Sequence, residues 1–176
     1  ALDSDFLGLD PRGVANTASW AELRDPDKNN GRMSRLYAVE PTMSLTGSNA
    51  DHRMRLSHRQ VEAFGFQVAL ELRKDNIFLP KDLDAAATSR AAGLTKEMKR
   101  FAKVVAKDLA AKQPRVGQAT RGLVVAGARQ PAIVHNLAAA LNDALGSTAG
   151  PVTYYEDNGR EATDPGDMAN LVRLTK

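Results

Sequence analysis

The sequence predicts an α/β fold: a Rossmann-like parallel sheet flanked by helices, with long irregular loops towards the N-terminus. Three observations predict it. The composition is that of a folded chain, with 43% hydrophobic and 26% charged residues in 176. A short apolar run, Gly122-Leu123-Val124-Val125-Ala126-Gly127, is bounded by turn residues, the pattern of a strand buried on both faces. From residue 121 onward strand, helix, strand and helix alternate, an order that calls for parallel strands joined by right-handed crossovers.

Taken in order, the chain falls into three regions that together read as one piece of a larger domain. Region 1–56 holds a strand end, long loops and one short strand. Residues 8–34 contain Pro11, Gly13, Asn16, Pro26, Asn29, Asn30 and Gly31 and read as a long irregular segment. Loops of that length are unusual inside compact domains and serve function or wrap a partner. Trp20 belongs to this loop and anchors it to a core. Residues 35–40 (RLYAVE) alternate as a short strand that Pro41 ends, and residues 42–51 return to loop with a turn at Gly47-Ser48-Asn49.

Region 57–113 is helical. Ser57 as N-cap and Gln60 three residues later form a capping box, and Val61, Phe64, Val68 and Leu72 follow at helical spacing. Gly65 beside that face allows close packing. A connector with Pro80 and Gly93 includes a short helix over 82–92. Thr95 starts the next helix, with Met98, Phe101, Ala102, Val105 and Leu109 facing inward and Lys96, Lys99, Lys103 and Lys107 on the other side. Residues 90–115 carry eight basic residues against Glu97 and Asp108, the source of a pI near 9.3. A nucleic-acid interface would use that stripe as a phosphate track, but no aromatic residue lies among the lysines to stack bases. The stripe reads as a solvated face, and no nucleic-acid partner is expected.

Region 114–176 is a βαβα Rossmann-like unit. After the strand at 122–127, Ala128-Arg129-Gln130 turns the chain and Pro131 takes the first helical position. Ile133, Val134, Leu137, Ala138, Leu141 and Leu145 form the buried stripe, His135 packs beside it, and Gly146 closes the helix. Residues 152–155 read as another strand, and a last helix starts at Asp164 and Pro165.

Several chemistries are excluded or thin. The chain has no Cys, so these residues hold no disulfide, thiolate zinc site, cysteine nucleophile or cysteine-ligated cluster. Three His make a histidine metal site unlikely on composition, and none is expected. No stretch approaches the roughly 18 consecutive apolar residues of a membrane span, so direct membrane insertion is not expected. The most functional-looking feature is the turn at Gly127, Arg129 and Gln130, because ligands of open α/β sheets bind beyond the carboxyl ends of strands. Neither phosphate-binding glycine fingerprint is present, which counts against a stand-alone nucleotide-binding module. Asp51-His52-Arg53 reads as a salt-bridged loop anchor. Asp5 and His52 can be drawn into a triad with a serine, without any nucleophile-elbow context. His58 reads as a surface residue. The chain opens inside an apparent strand end and stops inside an apparent helix, as a piece cut from a longer polypeptide does.

A longer pattern adds a family. Residues 32–53, RMSRLYAVEPTMSLTGSNADHR, resemble the "MxRLYxVEpTxxlTGaxADHR" stretch of the large iron–sulfur subunit of alternative complex III, a bacterial quinol–electron acceptor oxidoreductase. Residues 2–7 (LDSDFL) resemble the "LDxDFL" strand end of its molybdopterin oxidoreductase-like half. Residues 123–135 (LVVAGARQPAIVH) are similar to its "LVVAGxxQPxxVH" turn, and 141–146 (LNDALG) to its "lNxaLG". The resemblance implies a non-catalytic scaffold segment of a Tat-exported subunit on the periplasmic side of the inner membrane. It implies association with the membrane through partners, namely the remaining domains of the parent subunit and other subunits of the complex. It also implies iron–sulfur clusters elsewhere in the parent and no cofactor in this segment. On the scaffold reading, Trp20, Tyr37 and Arg53 are expected to fix the long loops against the rest of the parent subunit. The alternative is a working molybdopterin-dependent oxidoreductase in which Gly127, Arg129 and Gln130 contact a pterin pyrophosphate.

Overall fold

The computed structural model describes residues 1–29, 31, 33–111, 122–147 and 173. It shows a mixed helix and strand fold with a small parallel sheet. In chain order the elements are α1 (Gly13–Leu23), β1 (Tyr37–Glu40), α2 (Leu45–Ser48), β2 (His52–Arg55), α3 (His58–Leu72), α4 (Lys81–Arg90), α5 (Lys96–Ala110) and α6 (Ala132–Ala144).

The core forms around α3. Its capping box is present, with Gln60 Oε1 accepting the Ser57 N–H at 3.0 Å. Val61, Phe64, Val68 and Leu72, at helical spacing, are all buried. The helix packs against α4, α5 and α6 and against β1. Phe64 meets Phe101 of α5 at 5.7 Å between ring centroids, and Phe101 meets Tyr37 of β1 at 5.8 Å. Gly65 keeps the approach of α6 open: a Cβ there would lie 3.0 Å from Leu137 Cδ2 and 3.4 Å from Leu2 Cδ1. Thr95 caps α5 by accepting the Met98 N–H, and Gly146, with φ +71°, follows α6 in the left-handed conformation that ends helices.

The sheet is small. β1 and β2 pair in parallel, Tyr37 opposite His52 through Glu40 opposite Arg55. On the other side of β1, Leu2 bridges Val39 in parallel, and Leu2 in turn bridges Ala126 in parallel. The spatial order is β2, β1, Leu2, Ala126, so the direction in which successive segments are added reverses between Leu2 and Ala126.

The structure corrects several expectations. Segment 8–34 is not irregular throughout, because it contains α1, and Trp20 sits on that helix. No apolar periodicity announces α1, and only its Gly13 is buried. Ala15, Ala18 and Ala21 favour helix locally, and Asn16 and Thr17 tie the helix down by donating to the carbonyls of Phe6 and Leu7. The loop at 42–51 contains the single turn α2, and residues 52–55 form a second strand where only a charged loop was expected. The run 122–127 forms one bridge rather than a laddered strand, and Leu123 is 43% exposed. Its backbone is satisfied from the following helix: the Asn142 amide takes both the N–H and the carbonyl of Val124 at 2.8 Å. Pro131 caps α6 instead of entering it, and His135 is exposed. The expected strand at 152–155 and the helix from 164 lie outside the described residues.

Candidate functional site

The expected site residues lie at the reversal between Leu2 and Ala126. Backbone hydrogen bonds join the two segments there, from Leu2 N–H to the Val125 carbonyl at 2.8 Å and from Gly127 N–H to the Leu2 carbonyl at 2.9 Å. Gly127 is needed for that closeness, since a Cβ would stand 1.6 Å from the Asp3 carbonyl oxygen. Crevices at such reversals, beyond the carboxyl ends of parallel strands, are where ligands bind in open α/β sheets.

A carboxylate fills this one. Asp3 follows Leu2 in the left-handed region, φ +51°, a conformation uncommon outside glycine, asparagine and aspartate. Its side chain is 2% exposed. Gln130 Nε2 donates to Asp3 Oδ2 at 2.9 Å, His58 Nδ1 lies 3.0 Å from the same oxygen, and Arg129 Nη2 lies 3.4 Å from Oδ1. His58 opens α3 and Gln130 precedes the Pro131 cap of α6, so the carboxylate sits among residues at the amino ends of two helices. The partial positive charge of those ends favours an anion. The His58 and Arg129 side chains are 56% and 63% exposed, so the cluster meets solvent on their side. Gln130 Oε1 is buried and, among the described residues, has no hydrogen-bond partner.

The sequence singled out Gly127, Arg129 and Gln130, and the structure sets them beside Asp3 and His58, which the sequence did not single out for this place. Asp3 was within reach of the strand-end rule. His58 was not, because its role depends on a contact 55 positions away in sequence.

A second polar cluster is built from the distinctive segment 32–53. Glu40 ends β1 with its side chain 4% exposed. It accepts from Arg53 Nε at 2.6 Å, from Ser44 Oγ at 2.6 Å and from the Ser44 N–H at 3.2 Å. Ser44 Oγ in turn accepts the Gly47 N–H at 3.0 Å, capping α2. Asp51 pairs with Arg24 at 2.8 Å and accepts the Leu36 N–H at 2.8 Å, so the expected loop anchor is present. His52 stacks on Tyr37 at 5.1 Å, and the Tyr37 hydroxyl donates to Asp108, which also pairs with Arg35. Asp5 is engaged by backbone rather than by a histidine: it accepts from the N–H groups of Thr46 at 2.9 Å and Leu9 at 3.1 Å. Several of these side chains hold backbone groups in place.

Burial raises the Asp5 and Asp51 carboxyls, but hydrogen bonds outweigh it, from Thr46 and Leu9 at Asp5 and from Leu36 and Arg24 at Asp51. Both titrate below the ordinary aspartate range. A depressed carboxyl contributes stability that is fully present above the unfolded value, about 3.9, and is lost as pH falls through the folded one. Asp5→Asn is therefore expected to lower stability most near neutral pH, with the gap to the parent chain closing as pH falls below the ordinary aspartate range and through the lowered folded one. Urea unfolding across that range measures it; a gap independent of pH would assign the loss to packing.

Among the described residues, no helix is long and apolar enough to cross a membrane, and no three His, Cys, Asp or Glu side chains gather as for a metal ion. No protein-family model matches the chain, and no curated protein or solved structure matches it significantly.

Proposed function

We propose that this chain is a non-catalytic, Rossmann-like scaffold segment of a membrane-associated, quinol-oxidising electron-transfer complex on the periplasmic side, as its resemblance to the alternative complex III subunit implies. One observation carries the scaffold reading: the crevice where a ligand would bind is occupied by the chain's own carboxylate. Asp3 takes the position at the two helix amino ends that a bound phosphate takes elsewhere, and Gln130, Arg129 and His58 are engaged with it. The electrons then travel through iron–sulfur clusters in other parts of the parent, and this segment contributes shape to the assembly.

One observation favours a working molybdopterin enzyme, the buried and unpartnered Gln130 Oε1. A pterin pyrophosphate does not fit beside it. It would meet the buried Asp3 carboxylate as a like charge, and a carbonyl-like oxygen offers an anion no donor. Gly127 leaves no cradle either, because the space beyond its Cα is taken by the Asp3 backbone.

The deciding experiment is elemental analysis and pterin fluorescence on the full-length parent purified from membranes. Iron without molybdenum or pterin is the expected result. Near-stoichiometric molybdenum and pterin would overturn the scaffold reading.

A further inference from the structure

The outer face of α5 carries a row of cations that, among the described residues, pair with no carboxylate. At about 100° per residue, Lys96, Lys99, Arg100, Lys103 and Lys107 fall within an arc of about 100°, with Val105 opposite it in the core and the buried Ala102 and Ala106 to one side. The row runs for about 16 Å along the helix. All five side chains are exposed. Among the described residues, none has an ion pair, whereas Arg24, Arg35, Arg53, Arg73, Lys74, Arg90 and Arg129 each meet a carboxylate.

Such a row disfavours its own helix. Lys96 and Arg100, Lys99 and Lys103, and Lys103 and Lys107 are like charges four residues apart, where opposite charges would stabilise. A surface serving only solubility intersperses the two signs. We propose that this face is a docking surface for an anionic phospholipid bilayer, bound from outside by electrostatic attraction and without insertion.

Three features select lipid. The row lies along the outward face of a single helix. It holds no aromatic residue for base stacking. Four of its five cations are lysines, compact and strongly hydrated charges suited to diffuse attraction, where bidentate recognition of a discrete phosphate favours arginine. Basic faces on amphipathic helices are drawn to anionic leaflets over a distance set by the Debye length. This contact is separable from the scaffold reading, since it depends on no residue of the Asp3 or Glu40 clusters.

Vesicle flotation tests it, using the chain with phosphatidylcholine vesicles that contain, or lack, one-third phosphatidylglycerol. Binding is expected only to the anionic vesicles, and to weaken at least about tenfold between about 20 and 200 mM NaCl. Lys99→Glu/Lys103→Glu is expected to abolish it, while Arg12→Glu/Lys81→Glu, with the same change in net charge, retains it. Circular dichroism and thermal unfolding verify that both variants fold. Absence of binding to anionic vesicles, equal binding to neutral ones, or equal loss in both variants would each overturn the proposal. So would row-dependent capture of a DNA duplex in preference to vesicles.

Discussion

Gly127→Ala is expected to lower stability by about 3 kcal/mol or more, the upper range for forcing atoms into a packed site. The reason is geometric. The added Cβ would stand 1.6 Å from the Asp3 carbonyl oxygen, 2.5 Å from its carbonyl carbon and 3.0 Å from the Ser4 nitrogen. These are backbone atoms of the segment that bridges both β1 and Ala126, so no side chain can swing aside to relieve the overlap. Relief requires separating Leu2 from Ala126, which breaks the hydrogen bonds from Leu2 N–H to Val125 and from Gly127 N–H to Leu2. Urea unfolding of Gly127→Ala against the parent chain measures the loss. Gly93→Ala is a useful comparison: its strain comes from φ +79° alone, with nothing within 4 Å of the new atom. Its cost is expected to be smaller, about 1 kcal/mol. Equal losses would mean that the close approach at Gly127 is not what the glycine serves.

Arg53→Ala is expected to cost about 3–5 kcal/mol, because it leaves a charge buried without its partner. Among the described residues, Glu40 has one guanidinium contact, Arg53 Nε at 2.6 Å, and accepts hydrogen bonds from the hydroxyl and N–H of Ser44. The carboxylate cannot turn out to water past α2, since Gly47 lies so near that a Cβ there would stand 1.7 Å from Glu40 Oε1. A double replacement, Glu40→Gln with Arg53→Met, removes both charges and is expected to recover a good part of the loss. By contrast, Lys28→Ala breaks an exposed pair with Asp25 at 3.8 Å and is expected to change stability by less than about 1 kcal/mol. Chemical denaturation of the three variants against the parent chain ranks Arg53→Ala as the largest loss, the double replacement next and Lys28→Ala last. An Arg53→Ala chain as stable as Lys28→Ala would show that water reaches Glu40 and that the pair is a surface interaction.

Both expected losses fall on residues whose part was only half legible beforehand. The glycine at 127 was visible as the end of an apolar run leading into a turn, with contact to a pterin pyrophosphate only as the alternative. Its neighbour turned out to be the backbone of Asp3, more than 120 positions earlier. Arg53 was read within a salt-bridged anchor, and it is one. Its partner Glu40 was seen only as the last residue of a strand, because nothing local marks a carboxylate as buried.

What the residues determine alone is the local order wherever a single helix face or cap decides it. The capping box at Ser57 and Gln60, the stripes of α3 and α6, the lysine row of α5 and the glycine after α6 follow from spacing at 3.6 residues per turn and from capping chemistry. They hold because short-range geometry is the same in any tertiary context. Long-range choices were decided by tertiary structure. Helix α1 has no apolar stripe and is held by two side-chain bonds to carbonyls, so periodicity was blind to it. The run at 122–127 has strand composition, but Asn142 takes the backbone groups of Val124 that a ladder would use. The crevice beyond Leu2 reads in sequence as a place for a ligand. Only folding brings Asp3 to the amino ends of two helices, where the chain's own carboxylate does what an anion from solution would otherwise do.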